Sequence, residues 1–256
     1  MNQSVMKALK LLDLFTEDNP ELTLKEISQR ANLPKPTAYR LLSALESAAF
    51  LNKTKENEHD SRYRLGLKLL ELGQIVSDQL ELRGIALPFM EDLAQEINEV
   101  IHLVIVNQDE ATYIEKVESS RALRLYTRIG KSSPLYIGSG PKMLLAFMPR
   151  DKQEAIIGDG ELYFLGNHRP IDKKALKKEL AKIRQEGYAY SIGEQDADTT
   201  GISYPIYDYQ GRVIAALTVS GLSSHFEDDN LTFIKNETKN TARAVSEKLG
   251  YRGAKL

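Results

Sequence analysis

The sequence predicts an α+β fold: a helix-rich amino-terminal domain over 1–66, a linker helix over 67–80, and a larger domain over 81–256 built on an antiparallel sheet flanked by helices. Three observations carry this. Apolar residues recur at helical spacing through the first 47 residues, two short basic strands follow, and beyond residue 100 β-rich runs interleave with amphipathic ones. With 42% apolar and 27% charged positions in 256 residues, the chain can bury one large or two ordinary cores, which excludes disorder as its main state. The lack of Cys excludes a disulfide framework, a thiolate metal site and a Cys nucleophile. Neither a signal-peptide pattern at Met1-Asn2-Gln3-Ser4 nor a run of 18 apolar residues is present, so the expectation is a soluble cytoplasmic protein without a membrane span.

The first helix places Val5, Ala8, Leu9, Leu12 and Phe15 on one stripe and ends at Asp18-Asn19-Pro20. Thr23-Leu24-Lys25-Glu26 reads as a capping box, in which the Thr hydroxyl accepts from the third helical N–H and the Glu carboxylate reaches back. Asn32 suits the left-handed residue that closes this short helix, and Pro34 suits the first turn of the next. Two short helices are thus joined by a tight turn.

The helix from Leu33 to Ser47 has two unlike faces. Ala38, Leu41, Leu42 and Leu45 form a core stripe, leaving Pro36, Arg40, Ser43 and Ser47 outside, flanked by Lys35, Thr37 and Tyr39. A small, hydroxylated and basic surface of this kind can enter a major groove, where hydroxyls and Arg reach phosphates and base edges. An ordinary solvated face fits this helix equally well by itself. The following segments shift the balance: 49–55 and 61–65 read as strands around the polar tip Glu56–Asp60, with Lys53, Lys55, Arg62 and Arg64 at outer positions. Residues 25–64 hold eight basic against five acidic side chains, although the whole chain is at −2. Three helices and a basic hairpin describe a winged helix-turn-helix, whose natural partner is a double-stranded DNA operator.

The runs Ser4–Leu12, Leu24–Ile27, Leu33–Leu42 and Tyr63–Gly66 make the chain resemble the IclR family of bacterial transcriptional regulators, along nearly its whole length. The most specific parts are Leu33-Pro34-Lys35 followed by Thr37 and Arg40-Leu41-Leu42, and Tyr63-Arg64-Leu65-Gly66. Pro36 stands where the family more often has Ser or Thr, and Tyr39 where His is frequent. The resemblance implies DNA contacts by Thr23, Lys35, Pro36, Thr37, Tyr39, Arg40, Ser43, Lys53, Arg62 and Arg64. It also implies that the greasy linker helix, with Leu67, Leu70, Ile75 and Val76, helps the first helix pair two chains into a homodimer or tetramer.

In the larger domain a helix is expected over 81–98, kinked or restarted near Pro88. Strands are expected at 100–107, 111–117, 123–127, 188–192, 202–207 and 212–220. Helices are expected near 140–147, 150–157 and 173–186, the last opened by Asp172 and closed by Gly187, with a long one from Asp228 to Leu249. The helices are expected mainly on one face of the sheet. His102, in the strand Ile101–Val106, reads as a satisfied interior or interface residue.

Tyr136-Ile137-Gly138-Ser139-Gly140-Pro141-Lys142 lets a ligand approach the backbone at a helix start, where free N–H groups favour an anion such as a small carboxylate. A tight strand-to-helix turn is the competing reading of the same residues. The family resemblance makes Ser139 and Gly140 effector contacts, together with Ser191, Glu194, Gly201 and Ser203. Ser191 stands where Asp can occur in glyoxylate-responsive relatives, and Gly201 where Cys or Ser is usual. Tyr126 and Arg128 alternate on the strand before Gly130, placing a hydroxyl and a guanidinium on one side as further candidates.

Enzyme signatures are incomplete. The earlier Gly that a P-loop ending in Gly130-Lys131-Ser132 requires is replaced by Leu125, and Ser139-x-x-Lys142 lacks its companion motifs. The four His residues, at 59, 102, 168 and 225, show no close metal-ligand spacing, so no cofactor or metal is expected. A hydrolase or isomerase using Glu194, Ser139 and Tyr204 is the runner-up. The leading expectation is a regulator, in the first place a repressor, whose operator affinity responds to a small organic acid.

Overall fold

The computed structural model describes residues 3–16, 18–57, 60–78, 81–121, 128–165 and 168–253, and the chain divides into two compact units, 1–79 and 80–256. The expected strand at 123–127, with Tyr126, lies outside the described residues, as do His59 and the rest of the hairpin tip at Glu58.

The first unit runs α1 (Gln3–Leu12), β1 (Glu21–Thr23), α2 (Leu24–Arg30), α3 (Lys35–Ser47), β2 (Leu51–Asn57), β3 (Asp60–Leu65) and α4 (Leu67–Asp78). Its core gathers Leu11, Leu22, Ile27, Leu42, Leu51 and Tyr63, with Phe15, Leu41 and Leu45 around them. The capping box forms as expected: Thr23 N–H and Oγ1 each lie 2.8 Å from Glu26 Oε2, and Glu26 N–H donates to Thr23 Oγ1 at 3.3 Å. Asn32 is left-handed at φ 51°. Pro34, however, is the cap of α3 and not a residue of its first turn; Pro36 takes that place, where no N–H is needed. The α1 stripe is also shifted, because Leu11 is buried while Val5 and Leu9 stay about half exposed. β1 was not foreseen. It pairs antiparallel with β3, which makes a three-stranded sheet in the order β1-β3-β2.

The second unit runs α5 (Glu81–Ile97), β4 (Val100–Asn107), β5 (Glu110–Val117), β6 (Ser132–Pro134), α6 (Ser139–Phe147), α7 (Arg150–Ile157), α8 (Lys173–Glu186), β7 (Ala189–Ile192), β8 (Thr199–Tyr207), β9 (Val213–Leu222) and α9 (Asp228–Lys248). The six strands form one antiparallel sheet in the order β6-β5-β4-β9-β8-β7. α5 is continuous through Pro88, without a restart. Asp172 caps α8 by accepting from Lys174 N at 2.8 Å and Ala175 N at 3.3 Å, and Gly187 closes it at φ 74°, as its missing Cβ allows.

Helices cover both faces of this sheet, not mainly one. Alternation sends Ile101, Leu103, Leu217 and Val219 towards α5 and α9, with Met90, Leu93, Ile234 and Val245. It sends Val104 and Ala216 to the opposite side, against Met143, Leu145, Leu176 and Leu180 of α6 and α8. A strand buried on both faces reads as a continuous apolar run, so periodicity could not show this second layer.

Candidate nucleic-acid interface and ligand pocket

In α3 the stripe of Ala38, Leu41, Leu42 and Leu45 is buried, and the rest of the helix faces out as that stripe requires. Lys35, Pro36, Tyr39, Arg40 and Ser47 are exposed, while Thr37 and Ser43 are half-buried. Lys53 reaches over two rings, with its Nζ 5.8 Å from the centroids of both Tyr39 and Tyr63. A cation from the hairpin therefore stands beside the outer face of α3.

Lys53 does not share a side of the hairpin with Arg62 and Arg64. Cross-strand partners lie on the same face, and the register pairs Lys53 with Tyr63 and Lys55 with Ser61, but Asn52 with Arg64 and Thr54 with Arg62. Lys53 is thus on the face of buried Leu51 and Tyr63, and Arg62 and Arg64 on the opposite one. On that face β1 sets Thr23 against Arg62 and Glu21 against Arg64. Arg62 is half-buried and its charge helps hold the Glu26 carboxyl below the usual carboxylate range, after the larger effect of the Thr23 hydrogen bonds. The Thr23 hydroxyl donates to Glu26 and accepts from its N–H, so it is already engaged in the cap. Gly66 packs tightly: a Cβ there would meet Ala49 O at 2.1 Å, which accounts for the Gly after Tyr63-Arg64-Leu65.

In the second unit the start of α6 meets β7, β8 and β9. Gly138, at φ 87°, turns the chain into the helix and donates its N–H to Glu194 Oε2 at 2.7 Å. The other Glu194 oxygen takes the Lys142 ammonium at 2.5 Å, and Lys142, nearly fully buried, also bonds Glu179. A protein carboxylate thus holds the position at the helix start that suits an anion, and a ligand carboxylate there has to compete with it. Ser139 N–H donates to Ser191 Oγ at 3.1 Å, and Ser203 Oγ lies 2.8 Å from both Ser139 Oγ and Thr218 Oγ1. Backbone approach is close: a Cβ on Gly140 would lie 2.5 Å from Thr218 Oγ1, and one on Gly201 2.6 Å from Ser139 Oγ. The Ser139 hydroxyl uses the room that a side chain at 201 would take.

These groups border a cleft that brings together Ser139, Gly140, Ser191, Glu194 and Gly201. Ser203, fully buried, lies behind Ser139 and supports it. Arg128 is exposed and does not line the cleft. Tyr204 points to the other side of the sheet, stacked on Tyr188 at 5.9 Å, so the trio of Glu194, Ser139 and Tyr204 is not assembled. The cleft also contains Tyr113, Gln195, Thr218 and Ser220, which the sequence reading passed over, and His102, which it took for an interior or interface residue. Thr218 and Ser220, two hydroxyls at a spacing of two in an otherwise apolar strand, were a legible signal.

His102 is not the satisfied residue expected. It is 2% exposed, and neither ring nitrogen has a hydrogen-bond partner. Its ring meets Tyr113 edge-on at 5.3 Å, and Gln195 Nε2 donates to the Tyr113 hydroxyl at 3.1 Å. Burial, aided by the Lys116 charge, lowers the imidazole pKa to about 3, so the ring is neutral. Among the described residues no group of three His, Asp or Glu could hold a metal ion, and no helix is long and apolar enough to cross a membrane.

A helix-turn-helix unit with a basic hairpin, followed by an α+β unit with a polar cleft, defines a DNA-binding regulator with a ligand-binding domain. Residues 4–54 match the IclR helix-turn-helix domain and residues 74–247 the family described as bacterial transcriptional regulator IclR, C-terminal, so the chain belongs to the IclR family of transcriptional regulators. It is 37% identical over 250 residues to the HTH-type transcriptional regulator KipR of Bacillus subtilis, covering 98% of each chain. The crystal structure of the Thermotoga maritima IclR is similar at TM-score 0.77 and 28% identity, over 98% of this chain and 100% of that one. An IclR homolog from Microbacterium hydrocarbonoxydans complexed with 4-hydroxybenzoate is similar at TM-score 0.83 and 26% identity, over 96% and 99%.

Proposed function

We propose that the chain binds operator DNA as a homodimer or a tetramer, and that a small molecule in the α6–β8 cleft alters the affinity. The outward face of α3, exposed and flanked by Lys53, carries this reading. Arg40 and Tyr39 reach base edges; Lys35, Thr37, Ser43 and Lys53 position the helix on the backbone, with Arg62 and Arg64 on the flanking phosphates. Thr23 acts by fixing α2 through its cap. Ser139, Gly140, Ser191, Glu194 and Gly201 form the effector cleft, supported by Ser203. The bound 4-hydroxybenzoate in the Microbacterium homolog supports such a use of this domain. A dimer lying across a promoter excludes polymerase, which makes repression the expected mode, exerted in the cytoplasm where the chromosome lies. Catalysis is not expected, because among the described residues no cleft hydroxyl is hydrogen-bonded to His102 and Tyr204 stands apart from Glu194 and Ser139.

Effector and operator communicate only if the ligand has unequal affinity for two arrangements of the protein, and about 1–3 kcal/mol of coupling gives roughly 5- to 150-fold changes in DNA affinity. Footprinting of the chain on its own upstream region, repeated with a metabolite panel, tests both halves. Protection of two half-sites about one DNA turn apart, altered by a metabolite, supports the proposal, whereas absence of any sequence-selective protection overturns it.

A further inference from the structure

Every described residue lining the α6–β8 cleft is polar or glycine; no aliphatic side chain faces it. This is unusual for a small-molecule site, where apolar lining normally predominates. His102 occupies one wall, on β4, opposite Thr218 of β9 in the sheet register. Leaving two ring nitrogens buried and unpaired costs stability that an apolar residue of similar size would not. A neutral imidazole offers one donor and one acceptor, the same pair that a hydroxyl group offers in return.

The charges in the cleft point the same way. Lys142 does not line it and is shared between Glu179 and Glu194, so the charged groups in the described lining are the carboxylates of Glu194 and Asp196. Hydroxyls of Ser191, Thr200, Thr218 and Ser220 complete the surface. Such a surface rewards a molecule carrying several hydroxyls and gives little to an aliphatic chain or an unsubstituted ring, whose burial would strip water from these polar groups without replacing their hydrogen bonds.

We propose that His102 reads a ligand hydroxyl, and that the cleft takes a hydroxyl-rich, carbohydrate-like molecule in place of an apolar acid. This rests on reading the cleft as the effector site. The test measures binding to the full chain by calorimetry and thermal shift, using D-glucose, xylitol and D-gluconate as hydroxylated probes and hexanoate as the six-carbon acid without hydroxyls. At least one hydroxylated probe is expected to bind and hexanoate is not. His102→Leu should weaken that binding about tenfold or more, as expected when a buried ligand hydroxyl loses its partner, while His102→Gln, which keeps a donor and an acceptor, retains most of it. Operator binding and cooperative melting of both variants report that they fold.

Gly201→Val separates the two levels of the argument, because its side chain would fill the space beside Ser139 and Ser191. If a hydroxylated probe binds equally well to Gly201→Val, the cleft is not the binding site and the underlying reading falls. If Gly201→Val abolishes binding but His102→Leu does not weaken it, the cleft stands and the role of His102 is overturned. Binding of hexanoate as tight as that of the hydroxylated probes, or binding of none of these compounds, overturns the proposed ligand class.

Discussion

Single side chains in this protein answer to two kinds of constraint, and His102 shows the less visible kind. Its folded ring resists protonation down to about pH 3, whereas the ring in the unfolded chain titrates near 6.5. Between these values the unfolded state binds more protons, so this group's contribution to stability falls as pH falls, by up to about 1.4 kcal/mol per pH unit. Urea melts between pH 7 and 5 should show a steeper loss for the native chain than for His102→Leu; equal slopes would mean that the ring is not held neutral. Thr23 shows the local kind. Thr23→Ala should cost about 1 kcal/mol of amino-terminal stability through loss of the α2 cap, with Thr23→Ser recovering most of it in thermal melts. The roles of Asn32, Asp172 and Gly187 were legible for the same reason: each answers to the backbone of its own neighbours. The surroundings of His102 and Lys53 are set by strands far away in sequence, and no window around either residue contains them.

At the scale of elements, α3 was read correctly because a 3.6-residue period with a uniform core stripe is a dense local signal. The three-residue strands β1 and β6 carry no such signal, and both exist only through pairing, with β3 and β5 respectively. The hairpin was found, but the relative phase of its strands was not, since alternation within each strand does not say which positions face each other. This bears on function. Arg40→Ala should lower operator affinity by about 1–3 kcal/mol in gel-shift titrations and leave ligand binding to the second unit unchanged; if both fall together, the substitution has damaged folding and the assignment of Arg40 fails. Lys53→Gln should reduce the slope of log affinity against log salt by about one, as expected for one lost phosphate contact. Leu42→Ala, by contrast, should cost about 2–5 kcal/mol of stability by opening a cavity under α3.

For the molecule as a whole, the sequence disclosed two domains and an antiparallel sheet, while the helix layer on the second face and the polar cleft beneath α6 emerged only from the assembled strands. The first unit leaves apolar side chains outside its core: Leu67 at 77% and Leu70 at 69% exposure on α4, with Val5 and Leu9 on α1. Leu70→Glu should leave each folded unit intact and move the sedimentation coefficient towards that of a monomer, the result expected if these helices join two copies. The border of the large sheet leads to the complementary conclusion. On that side it ends in β7, only four residues long, and just beyond the β8 residue that faces the start of β7 the chain carries Pro205, which has no N–H to offer. Little backbone is left there for another chain to zip onto. Self-association by this protein should therefore stay finite and helical, and concentrated solutions should not seed fibres from that margin.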